Sequence, residues 1–156
     1  MAEKRVSIGR LVSILNRAGQ SYLGRRLEPH GIGSGQVPFL AELFGLGDGL
    51  SQDDLAAHFQ CDKATASRAL KRLESEGYVE RRRSAEDGRV NRVYLTPKAR
   101  AFQDTLFGTL SGWTEVLSAG LSTAERRELV RLLEKLVDNA AAAKTATITT
   151  DDGPPS

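Results

Sequence analysis

One cysteine, Cys61, and two histidines, His30 and His58, occur among the 156 residues, with a single methionine and a single tryptophan. A lone cysteine excludes a disulfide framework within the chain, and two distant histidines give no zinc-binding spacing. Neither a metal nor any other cofactor is expected. No apolar run approaches the roughly 20 residues that a bilayer-spanning helix needs. The opening MAEKRVSIGR lacks the apolar block of a secretory signal. A cytoplasmic protein without membrane contact is the expectation. Catalytic patterns are missing too: neither histidine sits in a recognisable acid, base or nucleophile motif, and there is no phosphate-binding loop and no G-x-S-x-G. An enzyme is the remote alternative.

What the sequence does contain is ordinary for one globular domain with its own core: 40% hydrophobic and 27% charged residues. The net charge of +2 conceals an asymmetry. Residues 61–100 hold eleven Lys/Arg against six Asp/Glu, a net +5, so the remaining eleven against fourteen leave −3. Positive charge confined to one segment points to a polyanion met by that segment, or to a solvated basic face.

The apolar periodicity is mainly helical. Leu11, Val12, Leu15, Ala18, Tyr22 and Leu23 predict an amphipathic helix from Ile8 to about Leu27, ended by Pro29, Gly31 and Gly33. A second helix is expected over Ser34 to Phe44, locally distorted by Pro38. Ser51 caps a third, which ends near Phe59. After the turn Gln60-Cys61, Asp62 caps a fourth, with Ala66, Ala69, Leu70 and Leu73 as its buried stripe and Gly77 as its stop. Two short helices so closely joined form a helix-turn-helix. The second offers Lys63, Thr65, Ser67, Arg68, Lys71 and Arg72 on its outer face, and its small residues let the backbone approach a major groove. Ser51 and Gln52, at the start of the preceding helix, join them as candidate DNA contacts. A plain surface helix is the competing reading. Cys61 reads as a small buried hydrophobe rather than a redox sensor.

Five arginines follow within twelve residues, Arg81 to Arg92. Tyr78–Arg83 and Val90–Leu95 pair as strands around a loop with the turn signal Asp87-Gly88. Such a hairpin is a wing that reaches the duplex beside the groove filled by the helix. Arg89 is the expected tip residue for a minor groove, with Asp87 orienting its guanidinium. Arg81, Arg83 and Arg92 are expected phosphate contacts. A charged edge hairpin that only keeps the protein soluble is the alternative.

The run LSQDDLAAHFQCDKATASRALKRLESEGYVERRRSAEDGRVNRVYLTPKA resembles the winged helix-turn-helix of MarR-type transcriptional regulators, including Asp87-Gly88-Arg89 at the wing tip and Leu95-Thr96-Pro97 after it. The likeness is strong over these fifty residues and extends more weakly across residues 6–143. It implies a homodimeric repressor or activator whose DNA binding answers to a small anionic or phenolic ligand or, in some branches, to cysteine oxidation. Ala64 stands where the family commonly has a polar residue.

The ends of the chain supply a dimer argument of their own. Thr96-Pro97 opens a helix with Phe102, Leu106, Leu110, Trp113 and Leu117 at helical spacing, running to about Ala119. Ser122 and Glu125 form a capping box for a last helix, striped by Leu129, Leu132, Leu133, Leu136, Val137 and Ala140. Three amphipathic helices outside the winged module are most economically buried against a second copy, whose two-fold axis matches a pseudo-palindromic site in double-stranded DNA. The fold class expected is mainly α with a small β wing. The organisation expected is an N-terminal dimerisation helix in residues 1–33, a winged DNA-binding domain in 34–96, C-terminal dimerisation helices in 97–143 and a disordered tail in 144–156. Tyr22, Arg26 and His30, with Gln36 and Phe39 opposite, are candidate ligands for a small aromatic acid. The competing functional reading is an architectural protein that binds DNA or RNA without choosing a sequence.

Overall fold

The computed structural model describes residues 7–149. The elements run α1 (Ile8–Leu27), a 3-10 turn (Glu28–His30), α2 (Val37–Leu46), β1 (Leu50–Ser51), α3 (Gln52–His58), α4 (Lys63–Ser75), β2 (Val79–Arg83), β3 (Asn91–Leu95), α5 (Pro97–Ser118) and α6 (Thr123–Thr149). Backbone contacts divide the chain into two compact units, one through Thr114 and one from Glu115. The division cuts α5 rather than preceding it at 96/97, because Ala99, Phe102 and Leu106 of α5 are buried in the same core as the winged elements.

Caps decide where most helices begin. Ser7 Oγ accepts the Arg10 amide at the start of α1, and Asp62 Oδ1 accepts the Thr65 amide at 2.6 Å at the start of α4. At α3, Ser51 Oγ accepts from Asp54 N at 3.0 Å while Asp54 Oδ2 accepts from Ser51 N at 3.4 Å, the reciprocal pair of a capping box. Thr96 Oγ1 caps α5 by accepting from Ala99 N, and Ser122 with Glu125 repeats the box at α6.

Helix α2 begins at Val37 and ends at Leu46, later at both ends than Ser34–Phe44. Pro38 then lies in the first turn, where an amide proton has no partner to lose, so the distortion expected of it does not arise. Helix α6 continues through Lys144 to Thr149, against the expectation of disorder from 144. Ala140–Ala143 carry it onward, since alanine adds no side-chain entropy cost to a helix. The rest of that expected tail, 150–156, lies outside the described residues.

Helix α4 ends in a Schellman motif: Tyr78 N donates to Leu73 O at 2.9 Å and Gly77 N to Glu74 O at 3.0 Å, with Gly77 at φ +81°. The left-handed residue turns the chain straight into β2. Strands β2 and β3 pair antiparallel from Val79↔Leu95 to Arg83↔Asn91, and β1 adds to the far side of β3 through Leu50↔Val93 and Ser51↔Arg92. That third strand, two residues long, is too short to leave an alternation in the sequence.

The core joins Leu27, Ile32, Leu40, Leu43, Leu55, Leu70, Leu73, Tyr78 and Val93. Tyr78 inserts its ring beside Phe102 and donates its hydroxyl to His30 O at 2.6 Å, tying the wing's base to the end of α1. Burial, with the carboxylate of Glu76 nearby, raises the pKa of that phenol. Cys61 is half-buried against this core.

Candidate nucleic-acid interface

Helix α4 buries Ala66, Ala69, Leu70 and Leu73 and turns Lys63, Ala64, Arg68, Lys71 and Arg72 to solvent, with Thr65 and Ser67 half-buried at the border. Two of its cations are lightly held. Lys63 Nζ lies 3.2 Å from Asp53 Oδ2, with both side chains more than two-thirds exposed, and Arg72 Nε lies 3.6 Å from Glu76. Exposed pairs of this kind are worth about 0–1 kcal/mol, so a phosphate can displace them. Arg68 donates to Thr65 Oγ1 at 3.4 Å, and Lys71 has no side-chain partner among the described residues.

The wing sorts its four strand arginines by parity. Val79, Arg81 and Arg83 share the face toward the core with Val93 and Leu95, whereas Glu80 and Arg82 share the outer face with Arg92 and Tyr94. Arg81 therefore lies over the end of α4. Its Nε donates to Glu74 Oε2 at 2.6 Å, one terminal nitrogen to Oε1 at 3.3 Å and the other to Gln52 Oε1 at 3.5 Å, leaving its side chain 19% exposed. The hydrogen bond from Arg81 holds the Glu74 carboxyl below the usual carboxylate range. Any stability from the pair is thus present at neutral pH and is lost as pH falls through that lowered value. Arg92 is also committed internally, donating to Gly49 O at 2.7 Å and to Ser84 Oγ at 3.4 Å. Arg82 pairs in bidentate fashion with Glu80 and covers the Tyr94 ring.

Arg83 and Arg89 are different. Both are exposed, and neither guanidinium has a partner among the described residues. The loop carrying Arg89 is closed by Ser84 N to Val90 O at 2.8 Å and by Ser84 Oγ, which accepts from the amides of Glu86 and Asp87. Asp87 does not restrain the Arg89 guanidinium. Its Oδ1 accepts the backbone amide of Arg89 at 3.0 Å, the side-chain-to-backbone turn that aspartate makes with a residue two positions on. A cleft of about 200 Å³ brings Ser51, Gln52 and Asp53 at the start of α3 against Arg89 and Asn91 of the wing.

The five residues expected to hold a small acid each meet other groups of the protein. Tyr22 stacks on Trp113 at 5.1 Å with Arg26 over its other side, His30 meets Phe102, Gln36 Oε1 accepts from Gly33 N, and Phe39 packs against Phe59 in the core. A separate groove of about 370 Å³ opens beside them, walled by Leu15, Gly19, Leu23, Val37, Pro38 and Trp113. Sequence reasoning missed Glu74 and Ser84. A carboxylate seven residues before a core-facing Arg81 was the available signal for the first; a serine at a strand end carries none for the second.

Comparison with known proteins places this geometry. A profile of the MarR family matches residues 30–90. The uncharacterized HTH-type transcriptional regulator YdgJ of Bacillus subtilis (strain 168) is 34% identical over 109 residues, 70% of this chain, which spans 66% of that protein's length. The crystal structure of a MarR transcriptional regulator from Methanosarcina mazei Go1 superposes with a TM-score of 0.81 at 40% identity, covering 87% of this chain and 97% of that one. The crystal structure of a putative MarR family transcriptional regulator from Listeria monocytogenes complexed with a 26mer DNA shares the fold at 21% identity, with a TM-score of 0.83 over 96% of this chain and 99% of that one. The chain belongs to the MarR family of transcriptional regulators.

Proposed function

We propose that the protein is a homodimer that binds a pseudo-palindromic double-stranded DNA site and represses transcription there. The observation that carries the reading is the set of cations without side-chain partners among the described residues, Lys71 on α4 and Arg83 and Arg89 on the wing, beside the displaceable Lys63 and Arg72. Lys63, Thr65, Ser67 and Arg68 face the base edges, Lys71 and Arg72 the phosphates, Arg83 the backbone beside the groove, and Arg89 a narrow minor groove. Ser51 and Gln52 approach the backbone from the cleft below Arg89. Arg81 and Arg92, expected from the sequence to meet phosphate, are occupied within the protein and leave the contact set. A protein of this fold from Listeria monocytogenes has been crystallised with a 26mer DNA. At a site that overlaps a promoter, occupancy alone represses, since a bound dimer excludes polymerase without any further surface.

The dimer reading rests on apolar side chains left in solvent: Ile8, Leu11, Val12 and Leu15 of α1, and Leu129, Leu132, Leu133, Leu136 and Val137 of α6. An exposed apolar stripe of this kind, on either helix taken by itself, marks an interface.

Selection from random DNA followed by footprinting tests the function. We expect a discrete protected site with two half-sites about one helical turn, ~10 base pairs, apart. Uniform binding without a protected site would favour the architectural alternative. In the same assay Arg89→Ala should lower affinity and reduce the slope of log affinity against log salt by about one. An unchanged slope would remove Arg89 from the phosphate-rich minor groove.

A small aromatic acid is the effector class we assign, held near Tyr22 and Arg26 and the adjoining groove. Salicylate titrated into free protein and into the protein–DNA complex should bind the free form more tightly, because only differential affinity can shift the DNA-binding equilibrium. Equal binding to both forms would sink this regulation.

A further inference from the structure

We propose that Arg81 is a positioning residue: its ion pair with Glu74, steadied by Gln52, fixes the angle of the wing against the recognition helix α4. The inference rests on the DNA-binding reading above and adds to it a division of labour among wing arginines that the composition of the wing conceals.

Three elements meet at this guanidinium. Glu74 belongs to the last turn of α4, Gln52 to the first residue of α3, and Arg81 to the middle of β2. The covalent path between α4 and β2 is the three-residue connection Glu76–Tyr78 with its Schellman turn at Gly77, and a turn this short would by itself let the hairpin rock about it. A bidentate fork between Arg81 and Glu74 resists that rocking, because two parallel N–H···O bonds fix orientation as well as distance. The same face of the hairpin continues outward to Arg83, and the loop beyond it carries Arg89. A small rotation at Arg81 is therefore magnified at the tip that meets DNA. Arg81 exposes 19% of its side chain against 40% for Glu74, so a phosphate reaching it would have to displace a carboxylate already in two hydrogen bonds.

The two roles for Arg81 predict opposite results. Lysine keeps the charge and serves a phosphate as a point charge, but it cannot form the planar fork. We expect Arg81→Lys and Arg81→Ala each to weaken site binding about tenfold, the size of a coupling between contacting residues. The salt slope should stay at its wild-type value. Glu74→Ala should weaken binding as well, although it removes a negative charge from a surface that faces a polyanion. Exchanging the pair, Arg81→Glu with Glu74→Arg, should recover most of the affinity and most of the melting midpoint lost by either single variant. Arg81→Lys at wild-type affinity, together with a slope reduced by about one in Arg81→Ala, would make Arg81 a phosphate contact and overturn the proposal. Tighter binding by Glu74→Ala would overturn it too. The melting arm uses free protein. Were the wild type to protect no discrete DNA site, the functional reading would fall while the midpoints of the single and exchanged variants still judged the brace, and additive midpoints would reject it.

Discussion

Replacing Leu133 and Leu136 with aspartate will leave the protein monomeric in sedimentation and weaken binding to a two-half-site DNA by about a hundredfold or more. Both leucines lie on α6 with 43% and 38% of their surface exposed, in a stripe with Leu129, Leu132 and Val137. A helix whose apolar side stays in water gains little from its own unit. It is stabilised when that side is covered, and burying a leucine side chain contributes roughly 1.5–3 kcal/mol. Two aspartates per protomer would place four carboxylates in one apolar seam. The loss on DNA follows from linkage, since a monomer reaches one half-site at a time. Binding to an isolated half-site should therefore change little. A double variant that still sediments as a dimer and binds the full site normally would remove α6 from the interface.

Leu70→Ala will destabilise the protein by about 2–5 kcal/mol, measured by urea denaturation, through lost apolar burial and the cavity left behind. Leu70 is fully buried on the inner side of α4, one residue from the outward Lys71 and two from Arg68. It is the peg that sets the depth at which the recognition helix sits in the core. The variant's affinity, corrected for the folded fraction, should fall much less than its stability, because the outward side chains proposed to meet DNA are untouched. A loss under about 1 kcal/mol would mean that the neighbours collapse into the vacancy.

The helices were legible because amphipathic spacing and caps agree. Ser51 with Asp54, Asp62 and Ser122 with Glu125 each announce a start that backbone geometry honours. The wing was legible because a turn signal separates two runs of β-forming residues. What failed did so for identifiable reasons. The strand β1 is defined by a partner forty residues away, so no local pattern encodes it. The extension of α6 was hidden by a polar composition that discourages packing while its alanines favour helix. Asp87 was assigned to a side chain although aspartate in a turn is more readily satisfied by a nearby amide. For Arg81 the expected phosphate contact competes with an internal pairing that strand parity makes readable. Arg81 has the parity of Val79 along the strand and lies opposite Val93, on the inner face. Phe39 and His30 admit two readings because aromatic rings serve cores and pockets alike; here they lie against Phe59 and Phe102.

Ser51 belongs to two elements at once: its backbone pairs with Arg92 in the sheet, and its hydroxyl and amide close the capping box of α3. The root of the wing and the first turn of that helix consequently cannot open separately, because freeing one breaks the bonds that start the other. In exchange terms they form a single cooperative unit, whereas the loop from Ser84 to Val90 closes on hydrogen bonds of its own and can open alone. Independent opening is thereby concentrated in the seven residues of the tip loop, Ser84 to Val90. The part of the hairpin that must adapt to the width of a groove is the part that can bend, and the part that must hold register against the recognition helix is not.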